Sequence, residues 1–100
     1  MPVSSYQEVT GANKSYSCCT FLGSVVALDA STGKILWKAF TIAEESKPGA
    51  ANSVGVLQMG PSGAAIWSAP TVDVATERIY ATTGDNYSDP PTETSDAILR

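Results

Sequence analysis

Two stretches of the chain alternate apolar runs with short polar turns, the pattern of β-hairpins. In the first, apolar residues fill 24–28 and 35–42, on either side of the polar residues 29–34. Gly33 supplies the positive φ that a tight turn needs, and the Asp29 side chain can accept hydrogen bonds from turn amides. The pattern predicts two antiparallel strands joined at this turn.

A second hairpin is predicted where residues 69–72 pair with residues 78–82 across the turn 73–77. Apolar residues fall at alternate places in 78–82, as one buried face of a strand requires. Residues 43–65, between the hairpins, are rich in Glu, Ser, Pro, Gly and Ala and predict a loop. The six prolines interrupt every candidate helix, so the chain is predicted to be all-β.

Both ends of the chain look cut. Residues 3–5 read as a strand already running, and the last six residues, SDAILR, read as a strand just beginning. Isolated hairpins are only marginally stable in water. We therefore expect residues 1–100 to form one partial domain that is incomplete at both ends.

Composition excludes several classes of function. Ten acidic and six basic residues give a net charge of −4 with no basic cluster, so a nucleic-acid partner is not expected. No apolar run approaches the roughly 20 residues of a membrane span. The chain has no histidine, which excludes Ser-His-Asp triads and imidazole metal sites within these residues. The adjacent residues Glu44 and Glu45 lie in a polar stretch and are expected to be solvated.

One eleven-residue motif carries a family resemblance. Residues 27–37, ALDASTGKILW, match the A-x-D-x-x-T-G-K-x-x-W repeat of quinoprotein alcohol dehydrogenase β-propellers, in which the tryptophan stacks between neighbouring blades. Trp37 is therefore expected to be structural. The stretches VSSYQE, CCTFLGSVVALDASTG, PSGAAIWSAPTVD and TTGDNYSDP, in this order, resemble the polyvinyl-alcohol dehydrogenase branch of that family over nearly the whole chain.

The resemblance implies a fold and an activity. The fold would be about two blades of an eight-bladed propeller. The intact protein would be an alcohol dehydrogenase dependent on pyrroloquinoline quinone (PQQ), oxidising a secondary alcohol such as polyvinyl alcohol. Hydride would pass to the Ca²⁺-activated quinone, electrons would leave to cytochrome c, and the compartment would be the periplasm. The family's catalytic aspartate would lie beyond Arg100, so no catalytic residue is expected here and the fragment alone is expected to be inactive.

The resemblance also implies binding residues. Trp67 takes the place of the indole on which the flat quinone stacks. Glu8 and either Asp85 or Asn86 take the places of Ca²⁺ ligands, since hard oxygen ligands suit this ion. Gln7 aligns better than Glu8 with the family's glutamate, and one place along a strand reverses the face. The ligand at this position is therefore either an amide or a carboxylate.

Each assignment has a structural alternative. Trp67 would serve equally to dock one blade on another, and Asp85 and Asn86 would serve to shape a turn. Relatives often carry an arginine where this chain has Leu22, which would weaken the site if that arginine touches cofactor or substrate.

The only two cysteines, Cys18 and Cys19, are adjacent. Quinoprotein alcohol dehydrogenases often carry a vicinal disulfide against the quinone, which suggests a disulfide in contact with the cofactor here. The family's pair usually precedes the calcium glutamate, however, whereas this pair follows VSSYQE. Two small thiols packed at a blade edge are the alternative.

Two other classes of propeller remain as alternatives to this enzyme. One is a non-catalytic scaffold of the outer-membrane assembly type, which needs neither the cysteine pair nor a calcium cluster. The other is a PQQ-dependent sugar dehydrogenase.

Overall fold

A computed structural model describes residues 1–3 and 7–100, and for Gln7 and Glu8 it gives the backbone alone. One helical turn, α1, spans Gln7–Thr10. The remaining regular elements are short strands: β1 Pro2–Val3, β2 Ser24–Leu28, β3 Ile35–Phe40, β4 Lys47–Ala51, β5 Leu57–Gly60, β6 Ser62–Gly63, β7 Thr71–Asp73, β8 Arg78–Thr82, β9 Asn86–Ser88 and β10 Ile98–Leu99.

Within the described residues, the strands form four small antiparallel sheets. Two sheets have three strands, in the orders β1-β2-β3 and β10-β8-β7, and two are the pairs β4-β5 and β6-β9. This arrangement confirms the predicted all-β class and agrees with part of a β-propeller. Both predicted hairpins are present: β2 pairs with β3, and β7 pairs with β8, although β7 begins at Thr71 and not at residue 69.

The turn of the first hairpin is held by one carboxylate. Asp29 Oδ1 accepts hydrogen bonds from the Ser31 and Thr32 amides, at 3.0 and 2.7 Å, and from the Thr32 hydroxyl at 2.8 Å. The Gly33 amide donates to the Asp29 carbonyl at 2.8 Å, and Gly33 has a φ of 72°. The predicted roles of Asp29 and Gly33 are confirmed.

The second turn repeats this chemistry. Asp73 Oδ1 accepts from the Ala75 amide at 3.0 Å and the Thr76 amide at 3.3 Å, and Oδ2 accepts from the Thr76 hydroxyl at 2.6 Å. Glu77 stands where the first turn has Gly33, and its φ of 55° is left-handed as well. The two hairpins are therefore copies of one turn design.

These two turns predict a stability that falls in acid. The threonine hydroxyls, followed by turn amides, hold the pKa values of Asp29 and Asp73 below the ordinary aspartate value. A depressed folded-state pKa means that the stabilisation is complete above pH about 4 and is lost as the pH falls through the folded pKa values. Urea unfolding between pH 7 and pH 2 should show this loss. The double variant D29N/D73N should lose less stability over the same range, and an equal loss would contradict the assignment.

The prediction of a loop at residues 43–65 is wrong. This stretch contains the antiparallel pair β4-β5, with Lys47 opposite Gly60 and Ala51 opposite Leu57, and also β6. Asn52 closes the hairpin, because its Oδ1 accepts from the Val54 and Val56 amides at 3.1 and 3.0 Å. The sequence pattern did not predict β4, because Lys-Pro-Gly-Ala-Ala has no β-branched residue and no apolar alternation.

The best-buried stretch lies between the two three-stranded sheets. Ser62, Ala64, Ala65 and Ile66 are each at most 2% exposed. Gly63 has a φ of 111°, and a Cβ there would lie 2.5 Å from the Asp85 carbonyl oxygen and 2.6 Å from the Tyr87 amide. Small side chains are therefore required where this stretch meets the segment around β9.

A groove of about 490 Å³ lies beside this buried stretch. Residues of both three-stranded sheets line it, Trp37 and Phe40 from the first and Ile79 and Ala81 from the second. Trp37 therefore lies at the groove between the two sheets, and its role in docking blades stays a prediction. In the described part of the chain, β3 is the last strand of the first sheet and all six of its residues are exposed, so the outer edge of that sheet is open. No helix of the described residues has the length and apolarity that crossing a bilayer requires.

Candidate functional site

Three of the sequence-predicted site residues line one cavity. Its volume is about 180 Å³, and its walls include Cys18, Asp85 and Asn86. These residues come from distant parts of the chain. Among the described residues, Gly11, Gln58 and Tyr87 also line it.

Cys18 and Cys19 form a disulfide, as the resemblance suggested, and both residues are buried. β5 forms backbone hydrogen bonds to both cysteines. The Cys19 amide donates to the Met59 carbonyl at 3.0 Å, and the Met59 amide donates to the Cys18 carbonyl at 2.6 Å. The hairpin that sequence reasoning read as a loop therefore positions the disulfide at the cavity wall. Contact between the disulfide and a cofactor stays a prediction.

Trp67 follows the buried small-residue stretch and is 64% exposed. The edge of its indole lies against Gly84, where an added Cβ would be 3.0 Å from Nε1 and 3.3 Å from Cδ1. The Gly84 amide donates to the Ala65 carbonyl at 2.8 Å, which ties the chain before Trp67 to the chain before Asp85. This arrangement places an accessible indole next to the segment that lines the cavity.

Asp85 has an acidic neighbour that sequence reasoning missed. The negative charge of Asp85 raises the pKa of Asp96, with further contributions from partial desolvation and a hydrogen bond between the two side chains. The Asp96 amide also donates to the Gly84 carbonyl at 3.0 Å, and Asp96 has a φ of 50°. Two carboxyl groups are therefore held together beside the cavity, and a cation would relieve their repulsion.

Asn86 has a structural role that Asp85 lacks. Its Nδ2 donates to the carbonyls of Ser88 and Pro90, at 2.6 and 3.3 Å. Its Oδ1 accepts from the Ser95 hydroxyl at 3.1 Å and the Thr92 hydroxyl at 3.5 Å. Both ends of the amide therefore hold the loop after β9 in place. Of the two residues, Asp85 has the side chain better suited to a ligand.

The side chains of Gln7 and Glu8 lie outside the described part of the structure, so the choice between them is open. Their backbone belongs to α1 and not to a strand. The argument that adjacent residues face opposite sides of a strand therefore does not apply, because neighbouring residues on a helix differ by about 100°. Gly11, directly after α1, lines the cavity, which brings this segment to the site.

Carboxylates alone do not make a metal centre in the described residues. No group of three or more His, Cys, Asp or Glu side chains among them is placed to hold an ion. A cation in the cavity would need oxygen ligands besides Asp85, and amide oxygens and water are among the ligands that Ca²⁺ accepts.

Two curated proteins match the chain along almost its whole length. The polyvinylalcohol dehydrogenase of Sphingopyxis sp. (strain 113P3) is 46% identical over 99 residues, which is 99% of this chain. The polyvinylalcohol dehydrogenase of a Pseudomonas species is 41% identical over 99 residues. The chain is similar to one segment of these polyvinylalcohol dehydrogenases. The resemblance drawn from the motifs is thereby confirmed.

The chain spans 15% of the length of the Sphingopyxis polyvinylalcohol dehydrogenase and 16% of the Pseudomonas one. No protein-family profile matches it. No solved structure matches it. The similarity to polyvinylalcohol dehydrogenases therefore rests on the two curated relatives.

Two residues at this site had no sequence signal. Gln58 lies in the stretch read as a loop, and Asp96 is far along the chain from the motif that contains Asp85. Only the pairing of β4 with β5 and the return of the chain after β9 bring them to the site.

Proposed function

We propose that residues 1–100 form part of a PQQ-dependent alcohol dehydrogenase that oxidises secondary alcohols, including polyvinyl alcohol. The single observation behind this proposal is the match to two polyvinylalcohol dehydrogenases over 99% of the chain. The segment would be a partial PQQ-repeat propeller domain. The convergence of Cys18, Asp85 and Asn86 on one cavity supports a role for the segment in binding.

The residues present fit a calcium ion. Asp85 is an exposed carboxylate at the cavity, and its neighbour Asp96 adds a second negative charge. In this proposal Asp85 is the cation ligand from the TTGDN motif, Asn86 holds the loop, and Glu8 or Gln7 approaches from the α1 side. Oxygen ligands with one or two charges suit Ca²⁺.

The residues also fit a planar cofactor. The Trp67 indole offers an accessible π-face of the kind on which flat rings stack. The disulfide of Cys18 and Cys19 would contribute a second apolar surface at the same site. When bound, PQQ would supply the electron-accepting carbonyl, and Ca²⁺ would polarise it.

The compartment and the electron acceptor complete the proposal. A disulfide persists in an oxidising compartment, so the pair formed by Cys18 and Cys19 supports the periplasm as the location. Cytochrome c would be the electron acceptor in that compartment.

A chimera tests the proposed activity. This chain replaces the aligned segment of the Sphingopyxis polyvinylalcohol dehydrogenase, and the chimera is stripped of metal with EDTA and then reconstituted. We expect reduction of an artificial electron acceptor, with polyvinyl alcohol or a secondary alcohol as substrate, only when both PQQ and Ca²⁺ are added. Activity that is independent of PQQ, or a folded chimera without activity, would refute the proposal.

Trp67→Ala should weaken PQQ binding by the chimera about tenfold or more, because stacking of a large ring contributes roughly 0.5–1.5 kcal/mol beyond the area it buries. Equilibrium dialysis against PQQ measures the loss. Trp67→Phe should restore part of the affinity. The matched control is Trp37→Phe, since Trp37 lines the groove between the sheets. Equal losses in the Trp67 and Trp37 variants would show that Trp67 only docks one blade on another.

A further inference from the structure

The hairpin β4-β5 brings one amide side chain to the cavity. Gln58 lines the cavity and is half-buried. Its Nε2 donates to the carbonyls of Tyr16 and Val56, at 3.3 and 3.2 Å. These bonds orient the amide and use its nitrogen. Among the backbone and side-chain groups that the structure describes, none donates a hydrogen bond to Oε1, so Gln58 retains one acceptor atom.

The cavity wall is an oxygen-rich, acceptor-rich surface. Asp85 contributes a carboxylate and Gln58 an amide oxygen, whereas both ends of the Asn86 amide are already bonded within its own loop. A wall with acceptors and a negative charge selects a cation, because an anion would be repelled and an apolar group would leave the oxygens without partners.

The size of the cavity also favours an ion. Pockets for drug-sized organic molecules span about 300–1,000 Å³, which is larger than this cavity of about 180 Å³. A water molecule takes about 30 Å³ in the liquid, so the cavity has room for an ion with part of its hydration shell.

We propose that Gln58 Oε1 binds the same divalent cation that the Asp85 carboxylate binds. Hairpin β4-β5 would then contribute a ligand to the site. The inference rests on the calcium site of the proposed function and adds a ligand from a segment without a recognised motif. Because amide oxygens are ordinary Ca²⁺ ligands, Gln58 supplies what carboxylates alone do not in the described residues.

Calorimetric titration with CaCl₂ alone tests the proposal, on the full chain and on the chimera without PQQ. Gln58→Leu should raise the dissociation constant for Ca²⁺ about tenfold. Gln58→Glu keeps an oxygen but loses the two hydrogen bonds that orient the side chain, so it should recover only part of that loss. Far-UV circular dichroism of each variant reports whether the hairpin is retained.

Asn52→Ala is the matched control within the same hairpin. Asn52 Nδ2 donates to the Lys14 carbonyl at 2.7 Å and braces the hairpin on the segment before the cysteines, away from the cavity lining. Its Ca²⁺ affinity should stay within about twofold of the unsubstituted protein. A loss equal to that of Gln58→Leu would overturn the direct contact and show a bracing role instead.

Ca²⁺ binding by the unsubstituted protein and by Gln58→Leu distinguishes failure of the calcium site from failure of the role of Gln58. If the unsubstituted chain and chimera do not bind Ca²⁺, the calcium site of the proposed function fails, and Gln58 fails with it. If they bind Ca²⁺ and Gln58→Leu binds equally well, only the role of Gln58 is overturned.

Discussion

Gly63→Ala is expected to destabilise the protein by about 4 kcal/mol. The φ of 111° is one that residues with a Cβ rarely adopt, which costs about 1–3 kcal/mol. The new methyl group would also overlap the Asp85 carbonyl oxygen and the Tyr87 amide, and overpacking of this kind costs a further 1–3 kcal/mol or so. The thermal midpoint should fall by roughly 20 °C for a domain of this size.

Gly49→Ala is the control for this loss. A Cβ at Gly49 would meet only the Gln58 carbonyl oxygen, at 3.4 Å, which is close to an ordinary contact. Thermal melts of the two variants and the unsubstituted chain, followed by far-UV circular dichroism, make the comparison. Similar midpoints for Gly63→Ala and Gly49→Ala would show that β6 and the segment around β9 do not approach as closely as described.

Asp85→Asn should reduce the activity of the reconstituted chimera about 100-fold, because it removes the charged oxygen of the proposed cation site while preserving the shape of the side chain. Stability should move in the opposite direction. Asp85 raises the pKa of Asp96, which means that the folded state suffers repulsion once both groups are ionised. Removing one charge relieves that repulsion at neutral pH.

The opposite signs distinguish this result from simple damage to the fold. The measurements are the rate of dye reduction with saturating PQQ and Ca²⁺, and the midpoint of urea unfolding at pH 7. Glu45→Gln, which neutralises an exposed carboxylate outside the cavity lining, should change neither the rate nor the midpoint appreciably. A rate for Asp85→Asn equal to that of the unsubstituted chimera would remove Asp85 from the site.

The hairpins could be predicted from the sequence because their chemistry is local. Asp29 and Thr32 are three residues apart, and the carboxylate bonds the hydroxyl and amide of the same turn. Asp73 and Thr76 repeat that spacing. Such turns form from the residues they contain, so their positions and the two pairs of strands follow directly from the pattern.

The hairpin β4-β5 has a local turn at Asn52, but it could not be predicted because β4 has no apolar alternation and its other stabilising partners are distant in sequence. Met59 bonds the backbone of Cys18 and Cys19, and Asn52 bonds Lys14. Asp96 likewise meets Asp85 only because the chain turns back after β9. Motif resemblance identified Cys18, Cys19 and Asp85, and the fold supplied their partners Met59 and Asp96.

The open edge of β3 has a practical consequence for producing this chain. Its backbone N–H and C=O groups on one side form a template for another strand, and Ile35, Leu36 and Phe40 are exposed along it. Such an edge promotes intermolecular pairing at high concentration. Lys38, whose ammonium lies 4.4 Å from the centre of the Phe40 ring, is the charge that opposes it. Solubility screens should therefore preserve Lys38 and work with dilute protein.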